Sequence, residues 1–197
     1  MLSTVFTAFA GNSVAEFIRS DFPQAINSVI GSNVRYIVKG SAGQGNWARI
    51  PWAAVFDRFI TESAQQGYYV VYLVKEDFTG VYLSLNQGIT IIRQKYGVDA
   101  KQALKVRAAD FTAQLSSIKT GWIQGPIDLA VSSTSSLGAY YEQGAIYSKY
   151  YPKNALPTDN LLNQDLMDAL DMYFALVTKE IIPQTPSYRE DDEENTE

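Results

Sequence analysis

The sequence predicts an α+β domain, in which helices flank a small, mostly antiparallel sheet. Three observations predict this class: aromatic and β-branched runs in the middle of the chain, helical spacing of apolar residues towards both ends, and no internal repeat. The chain has 197 residues, enough for one well-buried domain and a tail. We therefore expect a single domain over residues 1–182 and an acidic linker or tail over residues 183–197.

Two short helices are predicted first. Ser13 and Glu16 have the spacing of a capping box, which marks a helix that begins at Ser13. Asp21 can cap a second helix that carries Pro23 in its first turn. Residues 31–33 are expected to end that helix.

Strands are predicted in the next part of the chain. Residues 34–38 form a candidate strand, and residues 47–56 are expected to be extended around Pro51. Residues 68–74 are the strongest strand, because they are almost wholly aromatic and β-branched. Residues 81–85 follow a plausible hairpin turn at 77–80, with Val81, Leu83 and Leu85 on one face of the sheet.

Helical spacing dominates from residue 89 onwards. Helices are predicted over residues 89–96 and 99–118, the second beginning at an acidic cap, Asp99. Residues 122–131 are a further candidate strand, and residues 137–150 are expected to be helical. Thr158 is expected to cap a final helix whose apolar stripe consists of Leu162, Leu166, Ala169, Leu170, Tyr173, Leu176 and Val177.

The composition excludes several classes of chemistry. The chain contains neither cysteine nor histidine, which excludes disulfides, zinc fingers, thiol nucleophiles and every catalytic triad that needs histidine. Six of the 21 acidic residues and one of the 16 basic residues lie in the last nine positions, so the rest of the chain is close to neutral. Such a body can still bind nucleic acid through a local basic face.

The glycine loop, residues 40–46, is the most unusual segment. It lacks the Lys-Ser/Thr pair of a phosphate-binding P-loop, and its glycines do not have the dinucleotide-binding spacing. One interpretation is a long hairpin connection in which the glycines supply positive φ angles. The other is close approach to a nucleic-acid backbone or groove, because Arg35, Lys39 and Arg49 flank the small residues.

Charged residues elsewhere leave further alternatives. Five cations cluster between residues 93 and 107, among which Lys101 and Lys105 are helical i, i+4 neighbours. They either contact DNA phosphates or form an ordinary solvated helix face. The acids Glu76, Asp77 and Glu142 are scattered, and no lysine lies at the spacing of a metal-dependent nuclease motif.

Three segments carry a resemblance to a known family. They are YIVKGSAGQGNWARIPW from Tyr36 to Trp52, GYYVVYL from Gly67 to Leu73, and VYLSLNQG from Val81 to Gly88. Together with residues 140–147 and the closing helix, they resemble the amino-terminal DNA-binding domain family of McrB, the modified-cytosine restriction protein. The match is close over residues 34–88 and looser over the remainder.

The resemblance implies a module that flips a modified cytosine, methylated or hydroxymethylated, out of double-stranded DNA into an aromatic pocket. Trp52, Tyr69 and Leu73 match pocket residues of the family, with core packing as their alternative role, and Tyr141 or its neighbour Tyr140 can supply a further wall. Gln44 stands where McrB has a tyrosine that enters the duplex. The expected DNA-contacting residues are Ser41, Gly43, Gln44, Asn46, Arg49, Lys101 and Lys105.

The expected protein is therefore a cytoplasmic, non-enzymatic specificity module of a restriction or antiphage system, without a cofactor or metal. Its expected partners are double-stranded DNA with modified cytosine and a nuclease or NTPase effector, present as another domain or subunit. No membrane contact is expected, since no segment approaches the roughly 20 apolar residues that cross a bilayer. Two alternatives remain open, a carboxylate–metal nuclease and a module that binds another protein.

Overall fold

A six-stranded antiparallel sheet forms the centre of the domain. The computed structural model describes residues 11–31, 33–115 and 119–181, and the strand order is β1-β2-β3-β4-β6-β5. The strands are β1 (Tyr36–Ser41), β2 (Trp52–Asp57), β3 (Tyr68–Val74), β4 (Gly80–Gln87), β5 (Ile123–Gln124) and β6 (Tyr147–Pro152). Every neighbouring pair in this order is antiparallel, which confirms the α+β class.

Helices contact both faces of this sheet. They are α1 (Ser13–Glu16), α2 (Phe22–Ile30), α3 (Thr90–Tyr96), α4 (Ala100–Gln114), α5 (Leu137–Gly144) and α6 (Asp159–Ile181). A π-helical turn at Phe17–Asp21 joins α1 to α2, and a 3-10 turn at Gly97–Asp99 joins α3 to α4. Helices α2 and α6 pack on one face of the sheet, and α5 packs on the other.

The cross-strand register determines which side chains share a face. Trp52 pairs with Leu73, and Leu73 pairs with Tyr82, so these three side chains project from the α5 face. On the opposite face, the Tyr68 ring lies 5.5 Å from that of Tyr173 in α6. The predicted alternation within β4 is confirmed, since Leu83 and Leu85 are buried on the α6 face.

Burial of one face of α6 holds this helix on the sheet. The predicted apolar stripe is confirmed: Leu162 is half-buried, and Leu166, Ala169, Leu170, Tyr173, Leu176 and Val177 are buried. A fully buried leucine or valine contributes about 1.5–3 kcal/mol relative to its exposed state. The stripe therefore supplies a large share of the hydrophobic stabilisation of the α6 layer.

Capping of the N-terminal helices differs from the expectation. The cap is Asn12, whose side-chain oxygen accepts a hydrogen bond from the Val14 amide at 3.0 Å, so the prediction of Ser13 was wrong. Asp21 makes no capping bond either, because the π-helical turn runs straight into α2 and leaves no helix start at that position. Gly31 ends α2 with a φ of 73°, as expected.

Two element predictions in the C-terminal third were wrong. Residues 122–131 contain only the two-residue strand β5, since Gly125 has a φ of 86° and Pro126 lacks an amide hydrogen. Residues 137–150 form a helix only as far as Gly144. The Ile146 amide then donates to the Leu85 carbonyl at 2.9 Å, and the chain continues as β6 beside β4.

Several helix and strand boundaries also differ from the predicted ones. Strand β1 begins at Tyr36, after the turn at Asn33, and it extends to Ser41. Helix α4 ends at Gln114, and Asp99 makes no side-chain capping bond. The predicted acidic tail, 183–197, lies outside the described residues. Among the described helices, none combines the length and apolarity needed to cross a bilayer.

Candidate nucleic-acid interface

A cavity of about 420 Å³ lies between the end of β1, the start of β2 and the first turns of α5. Its volume falls within the range of roughly 300–1,000 Å³ that small-molecule sites occupy. The lining residues are Ser41, Ala48, Arg49, Ile50, Trp52, Ser136, Leu137, Gly138 and Tyr141. The structure thus brings together four of the predicted site residues, namely Ser41, Arg49, Trp52 and Tyr141.

Trp52 forms one aromatic wall of this cavity. It is the first residue of β2, opposite Ser41 on one side and Leu73 on the other, and its side chain is half-buried. Its ring meets that of Phe56 edge to face, with centroids 6.3 Å apart, an arrangement that aromatic pairs favour. Packing against Phe56 therefore fixes the orientation of the Trp52 ring while leaving one side towards the cavity.

Tyr141 in α5 forms the facing aromatic wall. The Asn86 side-chain amide donates to the Tyr141 carbonyl at 3.1 Å, which ties the helix to β4. Burial raises the pKa of the Tyr141 hydroxyl above its ordinary value of 10.0. The hydroxyl is therefore a neutral donor and acceptor at physiological pH.

Gly138 allows α5 to approach the Pro-Trp segment closely. A Cβ atom at this position would lie 2.6 Å from Cγ1 of Val131 and 2.9 Å from Cγ1 of Ile50. Any larger residue would push Ile50, which lines the cavity, out of its place. The glycine therefore helps to set the width of the cavity.

Tyr69 and Leu73, expected as pocket walls, lie behind the cavity and do not line it. Both are buried, with 2 % and 1 % of their surface exposed. The Tyr69 hydroxyl donates to the Ala64 carbonyl at 3.1 Å, and its ring lies 5.0 Å from that of Phe56. The same-face placement expected from their spacing is present, but Phe56 stands between Tyr69 and Trp52 in the aromatic row.

Hydrogen bonds fix the two ends of the glycine loop, and its tip is exposed. The Ala48 amide donates to the Ala42 carbonyl at 2.7 Å, and Arg19 donates to the Gly43 carbonyl at 3.0 Å. Gly43 has a φ of 117°, and a Cβ there would lie 2.0 Å from the Asn46 carbonyl oxygen. Beyond this tight turn, residues 44–46 are exposed at the tip, which places Gln44 and Asn46 at the surface.

Arg49 lies at the rim of the cavity in a small polar network. Its guanidinium donates to Glu76 at 2.8 Å and to the Ser132 hydroxyl at 2.5 Å, while its side chain stays 66 % exposed. Burial acts to raise the pKa of Glu76, but hydrogen bonds from Ser132 and Arg49 outweigh it and the net shift is downward. The carboxylate is therefore ionised at neutral pH and restrains Arg49.

Lys101 and Lys105 lie one helical turn apart in α4. The Lys101 ammonium donates to the Thr134 carbonyl at 2.5 Å, and Lys105 is exposed. The segment 132–136 thus meets Arg49 at Ser132 and Lys101 at Thr134, before Ser136 caps α5 by accepting a hydrogen bond from the Ala139 amide. This segment connects the rim of the cavity with the basic helix.

A family model matches almost the whole described chain. The model of the MrcB-like N-terminal domain covers residues 3–178. The chain belongs to the MrcB-like N-terminal domain family. The resemblance to the amino-terminal domain of McrB is thereby confirmed, and membership makes the chain a DNA-binding module of a restriction system, from a family that is not catalytic. No curated protein matches the sequence.

The acids considered for nuclease chemistry have other partners in this MrcB-like domain. Glu76 binds Arg49 and Ser132, Asp77 accepts from Thr79, and Glu142 accepts from the Leu129 amide at 2.8 Å. Within the described residues, no three acidic side chains come close enough to share a metal ion. These carboxylates stabilise turns and the rim of the cavity.

A second cavity, of about 450 Å³, lies on the opposite face of this MrcB-like domain between α2 and α6. Its walls are mostly apolar and include Phe22, Tyr72, Leu162 and Leu166. No arginine or lysine lines it, and none of the predicted site residues reaches it. The cavity beside Trp52 suits a polyanionic ligand better, because the exposed cation Arg49 stands at its rim.

Sequence reasoning missed two residues that α5 contributes to the site beside the predicted Tyr141. Leu137 and Gly138 line the cavity, but they carry no local signal for binding and lie far along the chain from Trp52. Ser136 carries one signal, since a serine before an apolar run is a typical helix cap. Nothing in the sequence alone indicates which strand that helix end would face.

Proposed function

We propose that this MrcB-like domain recognises a modified cytosine, methylated or hydroxymethylated, in double-stranded DNA by receiving the flipped base in the cavity between Trp52 and Tyr141. One observation carries the proposal: two aromatic side chains face a cavity of about 420 Å³ whose rim holds Arg49. The exposed tip of the glycine loop stands beside the same cavity. An aromatic pocket next to a probing loop is the arrangement that base extrusion needs.

The energetics favour an aromatic pocket for this task. Extruding a base from a duplex costs a few kcal/mol of lost stacking and pairing. Stacking on an aromatic side chain contributes about 1–3 kcal/mol per base, so contact with Trp52 and Tyr141 offsets much of that cost. The neutral hydroxyl of Tyr141 can add a hydrogen bond to the polar edge of the base.

Recognition of the modification rests on the apolar part of the lining. Ala48, Ile50 and Leu137 can surround a methyl group. Burying one such group contributes about 0.8 kcal/mol, roughly a fourfold preference at room temperature. A larger preference has to come from shape. An unmodified cytosine leaves a void in the cavity where the methyl group would lie, and Gly138 and Ile50 are packed too tightly to move into that void.

The loop tip is assigned to the duplex itself. Gln44 enters the gap left by the flipped base and hydrogen-bonds the orphaned guanine, while Ser41, Gly43 and Asn46 lie against the backbone. Arg49, Lys101 and Lys105 contact phosphates around this position. Tyr69 and Leu73 contribute from behind, by supporting Phe56 and Trp52.

Cleavage falls to another protein or domain in this proposal. A nuclease or NTPase effector, present as a further domain or as a subunit, acts once the modified site is bound. The domain itself supplies specificity within a restriction or antiphage system.

Equilibrium binding tests the proposal directly. Duplexes that differ only at one cytosine (unmodified, 5-methyl or 5-hydroxymethyl) are titrated with the domain, and fluorescence anisotropy gives the dissociation constants. A 2-aminopurine next to the target reports flipping by its fluorescence. We expect tighter binding and brighter fluorescence with a modified cytosine.

Matched variants locate the binding site. Trp52→Ala should remove the preference, whereas Phe59→Ala, an exposed ring away from the cavity, should keep it. Equal affinity for all three duplexes without a fluorescence rise would refute the proposal. Metal-dependent cleavage by the domain alone would instead favour a nuclease, and absence of DNA binding would favour a protein-interaction module.

A further inference from the structure

The cations of α3 and α4 form a cluster without acidic partners among the described residues. Within the described part of the chain, the five cations Arg93, Lys95, Lys101, Lys105 and Arg107 form no ion pair. Six others are paired with acids, namely Arg35, Arg49, Arg58, Lys75, Lys119 and Lys149. Five cations stand against two acids in this segment, Asp99 and Asp110, so α3 and α4 keep a net positive charge whose field extends into solvent.

Two of these five cations meet at one tyrosine ring. The Arg93 guanidinium lies 4.6 Å from the centroid of the Tyr140 ring, and the Lys101 ammonium lies 5.3 Å from it. Cations within about 6 Å of a ring centroid are attracted by its π-system, so Tyr140 draws both cations to one ring. Two cations gathered at one ring favour an anion beside them.

A cleft opens beside Arg93 and Tyr140, and Lys101 reaches the same tyrosine ring without lining the cleft. It has a volume of about 550 Å³ and is lined by Thr90, Arg93, Gln94, Gly97, Val98 and Tyr140. The Lys101 ammonium keeps one hydrogen bond, to the Thr134 carbonyl, and an ammonium has three donors. Arg93 makes no hydrogen bond to any described residue, so its fork of donors remains for a ligand.

The cleft and the base cavity share one helix. Tyr140 and Tyr141 are consecutive in α5, with Tyr140 against the cations and Tyr141 in the cavity wall. Consecutive residues of a helix point about 100° apart, so the two sites are neighbours around the axis of α5. Segment 132–136 connects them as well, through its contacts with Arg49 and Lys101.

We propose that Arg93 and Lys101, arranged around Tyr140, form a phosphate clamp that holds the DNA backbone next to the flipped base. The clamp rests on the proposed function for its ligand, duplex DNA. Arg93 supplies a planar donor fork and Lys101 a point charge, the two common ways in which proteins bind phosphate. Tyr140 positions both cations and does not contact the base.

The salt dependence of binding tests the clamp. Each phosphate that a protein neutralises on B-form DNA adds about 0.9 to the steepness of log K against log salt. The double variant Arg93→Gln/Lys101→Gln should therefore reduce the slope by roughly one to two, for modified and unmodified duplexes alike. The conservative variant Arg93→Lys/Lys101→Arg should keep the slope, because both charges remain.

A matched control removes charge without touching the clamp. The double variant Arg58→Gln/Lys153→Gln loses two cations outside the α3–α4 face and should keep the parent slope. If the clamp variant keeps the parent slope too, or if the control loses as much, the clamp is refuted. Circular dichroism of each variant confirms that a changed slope does not reflect unfolding.

Two further outcomes distinguish the clamp from modified-base recognition and from a site for free anions. A reduced slope in the clamp variant, together with equal affinity of the parent for all duplexes, would keep the clamp and reject modified-base recognition. Inorganic phosphate, titrated at constant ionic strength, distinguishes a backbone site from a free-anion site. Saturable phosphate binding that disappears in Arg93→Gln, together with an unchanged DNA salt slope in the clamp variant, would overturn the DNA clamp.

Discussion

Trp52 lies directly opposite Leu73 across β2 and β3, yet the two side chains end in different surroundings. Trp52 is half-buried and lines the cavity, whereas only 1 % of Leu73 is exposed. One register position thus joins the surface of the cavity to the core of the domain. Substitutions at the two positions should therefore separate binding from folding.

Trp52→Ala should weaken binding to modified DNA far more than it weakens the fold. Loss of one stacking wall costs about 1–3 kcal/mol, which corresponds to roughly a 5- to 150-fold rise in the dissociation constant. Leu73→Ala should instead lower the free energy of unfolding by about 2–5 kcal/mol, as truncation of buried leucine does. Anisotropy titrations and urea unfolding of both variants measure the two effects. A stability loss in Trp52→Ala as large as that in Leu73→Ala would assign Trp52 to the core.

Local sequence signals predicted the parts of the fold that depend on local chemistry. Strand β3 matches its predicted bounds, because seven consecutive residues favour a strand and no glycine or proline interrupts them. The stripe of α6 matches for the same reason. Strand β6 was missed because residues 147–150, predicted as helix, become a strand only by pairing with β4, a contact that local periodicity does not encode.

The same limit applies to the candidate site. Ser41, Arg49 and Trp52 lie in one continuous segment, so a motif could reveal them together. Tyr69 could be placed on the correct face from its spacing, but its depth behind Phe56 depends on packing between strands. Gly138 is informative only once α5 is known to rest against Ile50.

Glu76→Gln should strengthen DNA binding. The Glu76 carboxylate holds Arg49 at 2.8 Å, so its neutralisation frees the guanidinium for a phosphate and removes a negative charge from the rim of the cavity. We expect a lower dissociation constant and a salt slope steeper by about 0.9, the value for one added phosphate contact. Because the Arg49 side chain is 66 % exposed, the ion pair contributes at most about 1 kcal/mol to stability, so the fold should persist.

Glu62→Gln is the matched control for that variant. Glu62 pairs with Arg58 at 2.7 Å, away from the cavity. Its neutralisation removes the same charge from the domain but releases no cation at the rim. Equal strengthening by both variants would show that net charge, and not the release of Arg49, governs the effect.

The domain should unfold cooperatively in alkali. Burial raises the pKa of several tyrosine hydroxyls above the ordinary value of about 10, most strongly those of Tyr68, Tyr69, Tyr72, Tyr151 and Tyr173. Since the folded pKa exceeds the unfolded one, their stabilising effect is complete below pH ~10 and decreases as the pH rises above it. Each group then removes about 1.4 kcal/mol per pH unit. Together they can exhaust a stability of about 5–15 kcal/mol within one or two units.

A titration followed by two signals checks this behaviour. Tyrosinate absorbance reports ionisation, and circular dichroism reports folding. The two should change together in a steep transition above pH ~10. Ionisation of the buried tyrosines with the dichroism still native would contradict the prediction.

The buried carboxylate of Asp57 should be the most sensitive polar position in the sheet. The residue is fully buried, and its carboxylate accepts from Arg35 at 2.5 Å and from the Phe59 amide at 3.0 Å. Asp57→Asn leaves the Arg35 charge without its partner in a partly buried position. Breaking such a pair costs about 3–5 kcal/mol, so the urea midpoint should fall steeply.

Tyr173→Phe tests the uncharged hydrogen bond that the Asp57 backbone makes to α6. The Asp57 amide donates to the Tyr173 hydroxyl at 2.9 Å, across the interface between β2 and α6. Without that oxygen a buried amide hydrogen has no acceptor, which costs about 1–3 kcal/mol. Arg58→Gln, which breaks an exposed pair with Glu62, should cost less than about 1 kcal/mol. If Asp57→Asn and Arg58→Gln shift the urea midpoint equally, burial of the Arg35–Asp57 pair adds nothing to its contribution to stability.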